Sequence, residues 1–136
     1  MINCKVKEIY GNQHLMQAFM KLQQSPVPIS TGKLIMEIGK KLDEEIQKSD
    51  KTRQEILLKY CKKDEAGKPV LKEGNYDILE ESKGAFQVDM TALFESDIEI
   101  SLPKIVEKDL QHARLSPVEW EALTPFLGSA SGLKLV

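Results

Sequence analysis

Residues 30–62 read STGKLIMEIGKKLDEEIQKSDKTRQEILLKYCK, and this stretch decides the fold. Ser30 or Thr31 can cap a helix, and the apolar residues that follow recur at helical spacing, which predicts a helix from about Gly32 to Lys62. Such a helix is about 45 Å long, whereas a compact globule of 136 residues is roughly 37 Å across. The helix is therefore expected to protrude from the domain.

The middle of this helix leaves an alternative open. Residues 43–54 contain a single apolar side chain, Ile46, so this segment is expected to bury little in its own domain. Either one rod has a solvated middle, or the helix breaks near Ser49 and Asp50 into a hairpin of two shorter helices. The segment contains neither glycine nor proline to mark a turn, which favours the single rod.

Two strands are predicted to pair beside the helix. Residues 2–10 alternate between apolar and polar side chains, and residues 97–102 do so strictly, which is typical of half-buried strands. We expect them to form one small antiparallel sheet. The pairing would place opposite charges across the strands, Lys5 and Lys7 against Asp97 and Glu99.

Four shorter elements complete the pattern. They are a helix over residues 14–24 that ends before Pro26, a pair of short strands around Glu73-Gly74-Asn75, a helix over residues 81–94 and a helix that begins at Ser116. The last helix has a complete start signal, because Ser116 can act as N-cap, Pro117 occupies the first helical position and Glu119 can close a capping box.

Together these elements predict an α+β fold, with a small antiparallel sheet, a long protruding helix or helical hairpin, and two or three shorter helices. A chain of this length can bury about two-thirds of its unfolded surface, so residues 1–127 are predicted to form one domain. Residues 128–136 begin with GSASG, a composition typical of flexible linkers, and are interpreted as a C-terminal tail.

The composition is that of an ordinary globular protein, with 41% apolar and 29% charged residues. No apolar run reaches the roughly 20 residues of a membrane span, and the first residues lack the apolar stretch of a signal peptide. The sequence therefore predicts a cytoplasmic protein with no membrane partner. Cys4 and Cys61 lack CxxC spacing and are expected to be free thiols.

Charge is unevenly divided along the chain. Residues 1–68 carry 13 Lys and Arg against 9 Asp and Glu, whereas residues 69–136 carry 6 against 12. Two interpretations are open: the halves pack against each other, or a partner recognises one charged face. The basic half has no dense cluster of Lys and Arg interleaved with aromatic residues, so direct nucleic-acid binding is disfavoured.

Catalytic and metal-binding residue types show no recognised spacing. His14 and His112 lie far apart in the sequence and outside any zinc-ligand pattern, and the phosphate-binding glycine loops are lacking. A glycosidase-type carboxylate pair needs an aromatic-lined cleft, and only 6% of the residues are aromatic. We therefore predict no catalytic residue, no cofactor and no metal, and we expect a protein that is not an enzyme.

The acidic second half suggests one specialised alternative. A set of carboxylates there could mimic the phosphates of a nucleic acid and compete for a protein that binds one. The ordinary interpretation of such a set is a solvated acidic face. Its members are Glu95, Asp97, Glu99, Glu107, Asp109, Glu119 and Glu121.

Several segments, taken in order, resemble a known family. They are a Lys-rich first strand, a short helix ended by prolines, a long charged helix closing on LLKY (57–60), and then KDEAGKP (63–69), GNY (74–76), LSP (115–117) and LTPF (123–126). Together they resemble a family of small uncharacterised accessory proteins encoded by phages and prophages of bacteria. The resemblance runs to about Leu127 and rests on helix boundaries and turns, so it transfers no catalytic residue. It implies a phage-encoded protein that acts in the cytoplasm of a bacterial host cell.

These observations predict a non-enzymatic protein-binding module that binds and inhibits or modulates a bacterial host or defence protein. The long helix is expected to be its main surface, because Arg and Tyr are enriched at interfaces. The residues predicted to contact the partner are Lys48, Lys51, Arg53 and Tyr60 on the helix, with Asp97 and Glu99 in the acidic half. The alternatives are a virion or assembly component, in which a second copy covers the helix in a homo-oligomer, and the acidic nucleic-acid mimic.

Overall fold

The computed structural model describes residues 1–128 of the chain. Its helices are α1 (Val6–Ile9), α2 (Gln13–Gln23), α3 (Ile29–Tyr60), α4 (Lys83–Glu95) and α5 (Pro117–Leu123). Its strands are β1 (Ile2–Lys5), β2 (Leu71–Lys72), β3 (Asn75–Tyr76), β4 (Asp97–Ile100), β5 (Ile105–Val106) and β6 (Leu127–Gly128). This mixture of helices and small sheets confirms the α+β class. None of these helices is both long and apolar enough to cross a membrane.

The predicted pairing of the first strand with the Glu99 strand is confirmed. β1 and β4 run antiparallel, with Ile2 opposite Ile100 and Lys5 opposite Asp97. Ile2 and Ile100 are buried, and they join the side chains of α2, α3 and α5 in one core. The Nζ atom of Lys5 lies 3.4 Å from Oδ1 of Asp97, so opposite charges meet across the pair as the alternation predicted.

The first strand is shorter than the alternation predicted. It ends at Lys5, and the chain turns into α1, whose start is fixed when the Lys5 N–H donates to Oε1 of Glu8 at 2.8 Å. Val6 and Ile9 are three residues apart and both buried. One side of a helical turn therefore supplies the core contacts that an extended strand would have supplied, which is why alternation alone misplaced the boundary.

One continuous helix, α3, spans Ile29–Tyr60 and confirms the single rod over the hairpin. It begins about three residues earlier than predicted, because Pro28 already holds the extended backbone of an N-cap, with φ −56° and ψ 148°. Thr31 is consequently inside the helix and not its cap. It is buried and donates a hydrogen bond to Oδ2 of Asp109 at 2.7 Å.

The middle of α3 is packed against the domain, which corrects the expectation that it buries almost nothing. Ser49 is only 6% exposed, and Ile46 is partly buried against the core. Tyr10, at the end of α1, donates its hydroxyl to Oδ1 of Asp50 at 2.6 Å. The polar composition of this segment was misleading because its polar side chains find hydrogen-bonding partners within the domain.

The predicted turn around Glu73 and Gly74 is confirmed. β2 and β3 are antiparallel with Lys72 opposite Asn75, so two residues form the loop. Glu73 and Gly74 have φ values of 53° and 82°, and a two-residue type I′ turn requires a positive φ at both positions. Two isolated bridges connect the end of α3 to this region, Cys61 with Ile78 and Lys63 with Pro69.

The two later helices lie where the sequence predicted them. α4 begins two residues later than expected, because a 3₁₀ turn at Glu80–Ser82 precedes it. The capping box of α5 is present: the Ser116 hydroxyl accepts from the Glu119 N–H at 3.4 Å, and the Ser116 N–H donates to Oε1 of Glu119 at 2.8 Å. Gly128 pairs with Val106 in the parallel β5–β6 ladder. The rest of the predicted tail lies outside the described residues.

Candidate functional site

A groove of about 670 Å³ lies between α2 and α3. We call it the α2–α3 groove. The chain that links the two helices closes part of it with Val27. Its principal lining residues are Met16, Phe19, Met20 and Gln23 of α2, and Ile29, Lys33, Met36, Gly39, Lys40, Asp43 and Ile46 of α3.

The groove exists because α2 is apolar on more of its circumference than its own core uses. Leu15 and Leu22 point inward and are fully buried. Met16 and Met20, one turn apart on the neighbouring face, are 51% and 61% exposed. An amphipathic helix that only packs on its own domain does not need this second apolar stripe.

The facing side of α3 repeats the same arrangement. Ile35 and Ile38 belong to the core, whereas Met36 is 58% exposed and Ile29 is 80% exposed. Three of the five methionines of the chain, those at 16, 20 and 36, thus lie together around one open groove. Methionine is flexible and polarisable, and it is common on surfaces that adapt to apolar partners.

Two glycines on the α3 side of the groove, Gly32 and Gly39, leave part of its wall without side chains. A Cβ at Gly39 would come no closer than 3.9 Å to Nε2 of Gln23, and one at Gly32 would lie 3.6 Å from Cγ2 of Val27. Both are ordinary contact distances, so this packing does not exclude alanine. Because these positions lack a side chain, the groove is deeper at Gly32 and at Gly39, which lie two helical turns apart.

The polar groups of the groove are mainly cationic. Lys33 and Lys40 are exposed lining residues, and neither forms an ion pair with any of residues 1–128. Among the described residues, Asp43 is the single lining carboxylate, and it accepts a hydrogen bond from Nε2 of Gln47 at 3.0 Å. The groove therefore offers apolar contact beside two positive charges.

Residue types that hold metals or act as nucleophiles are not concentrated in this groove. Within residues 1–128, no three His, Cys, Asp or Glu side chains come together in a way that could hold a metal ion. Cys4 and Cys61 are both free and buried, as predicted for thiols without CxxC spacing. Burial raises the pKa of Cys4 to about 11, so this thiol stays protonated near neutral pH.

The six residues predicted to contact a partner all lie outside the α2–α3 groove. Lys48 and Lys51 are exposed on α3, and Nζ of Lys48 is 3.6 Å from Oε2 of Glu45. Asp97 and Glu99 lie on the exposed side of β4. Glu99 is opposite Asn3 and not a lysine, because Lys7 lies in α1. Their role in binding stays a prediction.

Arg53 belongs to a hydrogen-bonded network inside the domain. Its Nε donates to the Tyr10 hydroxyl at 2.7 Å, its Nη2 lies 3.2 Å from Oδ1 of Asp50, and the Tyr10 ring is tilted against Phe94 at 5.6 Å between centroids. The Tyr10 and Arg53 hydrogen bonds lower the pKa of Asp50. Burial, followed by the bond to Asp50, raises the pKa of Tyr10.

Tyr60 is similarly engaged with α4. Its hydroxyl donates to Oδ2 of Asp89 at 2.6 Å, and its ring meets the edge of Phe86 with centroids 6.3 Å apart. The side chains of Arg53 and Tyr60 thus hold α3 to its neighbours. This contact within the domain explains why residue types common at interfaces occur here.

Several members of the proposed acidic mimic are neutralised within the domain. Glu95 accepts from Lys7 at 2.6 Å, and its pKa is lowered mainly by that contact. Glu119 is 2% exposed and accepts from Lys21 at 2.8 Å. These carboxylates are therefore less available to imitate a row of phosphates.

No protein-family model, curated protein or solved structure matches this chain. The resemblance to phage-encoded accessory proteins therefore stays a prediction.

Sequence reasoning missed the α2–α3 groove, although a signal for it was present. Residues 14–24 were predicted to form a short amphipathic helix, without the observation that Leu15 and Met16 are consecutive and therefore point about 100° apart on it. Two parallel apolar stripes on one short helix, with methionine confined to one of them, is the pattern that could have identified the groove.

Proposed function

We propose that this chain is a non-enzymatic protein-binding module and that the α2–α3 groove is its binding surface. The observation that carries the proposal is the open apolar groove around which Met16, Met20 and Met36 are each more than half exposed. Single exposed apolar residues are normal on proteins, but apolar side chains gathered around one concavity are typical of an interaction site. Lys33 and Lys40 add polar groups that can fix the orientation of a bound partner.

The resemblance described above supports a narrower form of the proposal. In this form the chain is a phage-encoded accessory protein, and its partner is a bacterial host or defence protein that it inhibits or modulates. The cytoplasm of the bacterial cell is then the compartment in which both are found. This narrower form depends on the family resemblance and not on the groove.

A pair of matched variants tests the binding surface. Met20→Glu with Met36→Glu places two carboxylates in the groove, whereas Lys48→Glu with Lys51→Glu changes exposed positions of α3 outside it. Exposed substitutions of this kind typically change stability by about 0.5 kcal/mol or less each, so both variants should fold. Thermal unfolding checks that they do.

The readout is quantitative capture from lysate of the natural host, with the tagged parent chain and both variants compared in parallel. We expect the groove variant to lose the captured proteins and the Lys48 and Lys51 variant to retain them. The reverse pattern would contradict the proposal and move the surface to the exposed side of α3. Sedimentation of the same three proteins shows whether the groove instead binds a second copy, because self-association would then disappear with the groove variant.

A further inference from the structure

We propose that the occupant of the α2–α3 groove is an amphipathic α-helix of a partner protein, with two carboxylates seven residues apart beside its apolar stripe. This inference rests on the proposed function and names the chemistry of the partner. It depends on three properties of the groove: its length, the spacing of its features and the sign of its charge.

The length of the groove fits a helix. Its α3 side runs from Ile29 to Ile46, which corresponds to about 25 Å along the helix axis. A partner helix of about 17 residues would match that length. α2 forms the other side over the shorter span from Met16 to Gln23, about 10 Å, so two helices border that part of the groove, and helices pack on one another at axis separations of about 8–10 Å. Gly32 and Gly39 leave room on the α3 side for such a close approach.

The spacing of the features fits a helix better than an extended strand. Three kinds of lining residue on α3 recur after seven residues, which is two turns or about 10 Å. The pairs are Ile29 with Met36, Gly32 with Gly39, and Lys33 with Lys40. A partner helix repeats its contact positions at the same interval. An extended strand repeats its contacts every two residues, and it needs backbone partners that the sides of two helices do not offer.

The charge of the groove indicates acidic residues on the partner. Lys33 and Lys40 form no ion pair with the chain itself over residues 1–128, and the separation between them matches carboxylates at positions i and i+7 of a helix. A second copy of this chain is a poorer occupant. A symmetric dimer through the groove would bring together two copies of a lining that carries two lysines and one carboxylate, and the like net charge opposes association.

Methionine-methyl NMR of the full chain tests the inference, because Met16, Met20 and Met36 are built-in reporters. Met90, on α4, is outside the groove and serves as the internal reference. The probes are two synthetic amphipathic peptides of about 17 residues with the same apolar stripe. One carries Glu at both flanking positions seven residues apart, and the other carries Lys there. We expect the Glu peptide to shift the three groove methyls and leave Met90 in place.

The difference in affinity between the two peptides measures whether the groove prefers carboxylates at the two flanking positions. Two exposed ion pairs at low salt should favour the Glu peptide by about fivefold to tenfold, and added salt should narrow the difference. Lys33→Glu with Lys40→Glu should reverse the preference. Lys48→Glu with Lys51→Glu changes the net charge by the same amount outside the groove and should keep the preference for the Glu peptide, which makes it the control for unspecific effects of charge.

Two results would overturn the inference, and each is distinct from failure of the proposed function. If the parent and the Lys33→Glu, Lys40→Glu variant each bound both peptides with equal affinity, the partner helix would not need carboxylates, although the groove would still bind a helix. No shift of the groove methyls with either peptide would exclude an amphipathic helix as occupant. Differential capture by the Met20 and Met36 variant would then decide by itself whether the groove binds a protein.

Discussion

At the scale of single residues, Glu119 has the most demanding environment of the described carboxylates. It is 2% exposed, and its Oε1 accepts from the Lys21 ammonium at 2.8 Å and from the Ser116 N–H at 2.8 Å. Both contacts favour the charged form and lower the pKa of Glu119, with the Lys21 hydrogen bond as the larger cause. A buried carboxylate without such partners would destabilise the fold, so Lys21 and Ser116 make this position possible.

The lowered pKa of Glu119 makes its contribution to stability depend on pH. A group whose pKa falls on folding stabilises the folded state above its unfolded pKa, and this stabilisation is lost as the pH falls through the folded-state pKa. We predict that the difference in unfolding free energy between the parent and Glu119→Gln shrinks as the pH is lowered from about 5 to about 2. Urea unfolding at several pH values measures the difference.

The matched control for this prediction is Glu121→Gln, which changes an exposed carboxyl on the same helix. Its effect should be small throughout the same pH range. A difference between the parent and Glu119→Gln that stays constant with pH would show that Glu119 acts by packing and not by its charge.

The hydroxyl of Tyr10 is predicted to contribute measurably to stability. It donates to Asp50 and accepts from Arg53, so Tyr10→Phe removes both hydrogen bonds while keeping the ring against Phe94. We expect Tyr10→Phe to lower the unfolding free energy by about 1 kcal/mol in urea denaturation. Tyr76→Phe, on the β2–β3 hairpin outside this network, is the control. Equal effects of the two substitutions would show that the network does not stabilise the fold.

At the scale of elements, the glycines separate into two physical classes, and this gives a paired prediction. Gly39 has no steric need to be glycine, so Gly39→Ala should stabilise α3 by about 0.5–1 kcal/mol. Gly74 has a φ of 82°, so Gly74→Ala should destabilise the hairpin turn by about 1 kcal/mol. Thermal unfolding of both variants measures the opposite signs.

The Gly39→Ala variant also connects stability to binding. Its new methyl group makes the α3 side of the groove shallower, so we expect weaker binding of the Glu peptide in the NMR titration although the helix is more stable. A variant that gains stability and keeps full affinity would show that a partner does not approach α3 closely at Gly39.

The elements also show what sequence could and could not predict. The capping box at Ser116, the turn at Glu73-Gly74 and the β1–β4 pairing were readable, because each depends on local chemistry or strict alternation. The start of α1 was not predicted, because the alternation of Ile2, Cys4 and Val6 was continued to residue 10 although Ile9 is out of phase with it. The α2–α3 groove was missed because periodicity identifies apolar residues without showing which of them the core leaves exposed.

At the scale of the whole molecule, the uneven charge distribution corresponds to contacts between the two halves of the chain. Each ion pair between residues distant in sequence joins a lysine of residues 1–68 to a carboxylate of residues 69–136 within the described range. The pairs are Lys5 with Glu95 and Asp97, Lys7 with Glu95, Lys21 with Glu119, Lys59 with Asp89, and Lys62 with Asp77. This arrangement favours the interpretation that the halves pack on each other.

These ion pairs are expected to direct the packing more than they stabilise it. Most of their side chains are substantially exposed, where a pair contributes about 0–1 kcal/mol and is screened by salt. We predict that raising NaCl from about 0.1 M to about 0.5 M lowers the unfolding free energy by about 1 kcal/mol or less. A loss of several kcal/mol, measured by thermal or urea unfolding, would mean that electrostatics and not the apolar core holds the halves together.

The pairing of β1 with β4 has a consequence for how the chain folds during synthesis. Ile2 cannot find Ile100 until about a hundred residues have left the ribosome, which takes about 5–20 s at common rates of translation. Closing so long a loop is also a slow step for a refolding chain. In the interval, α2 and α3, which are neighbours in sequence, can already pack on each other. The order of folding is then from the middle outward, and β1 is secured only after β4 has been made.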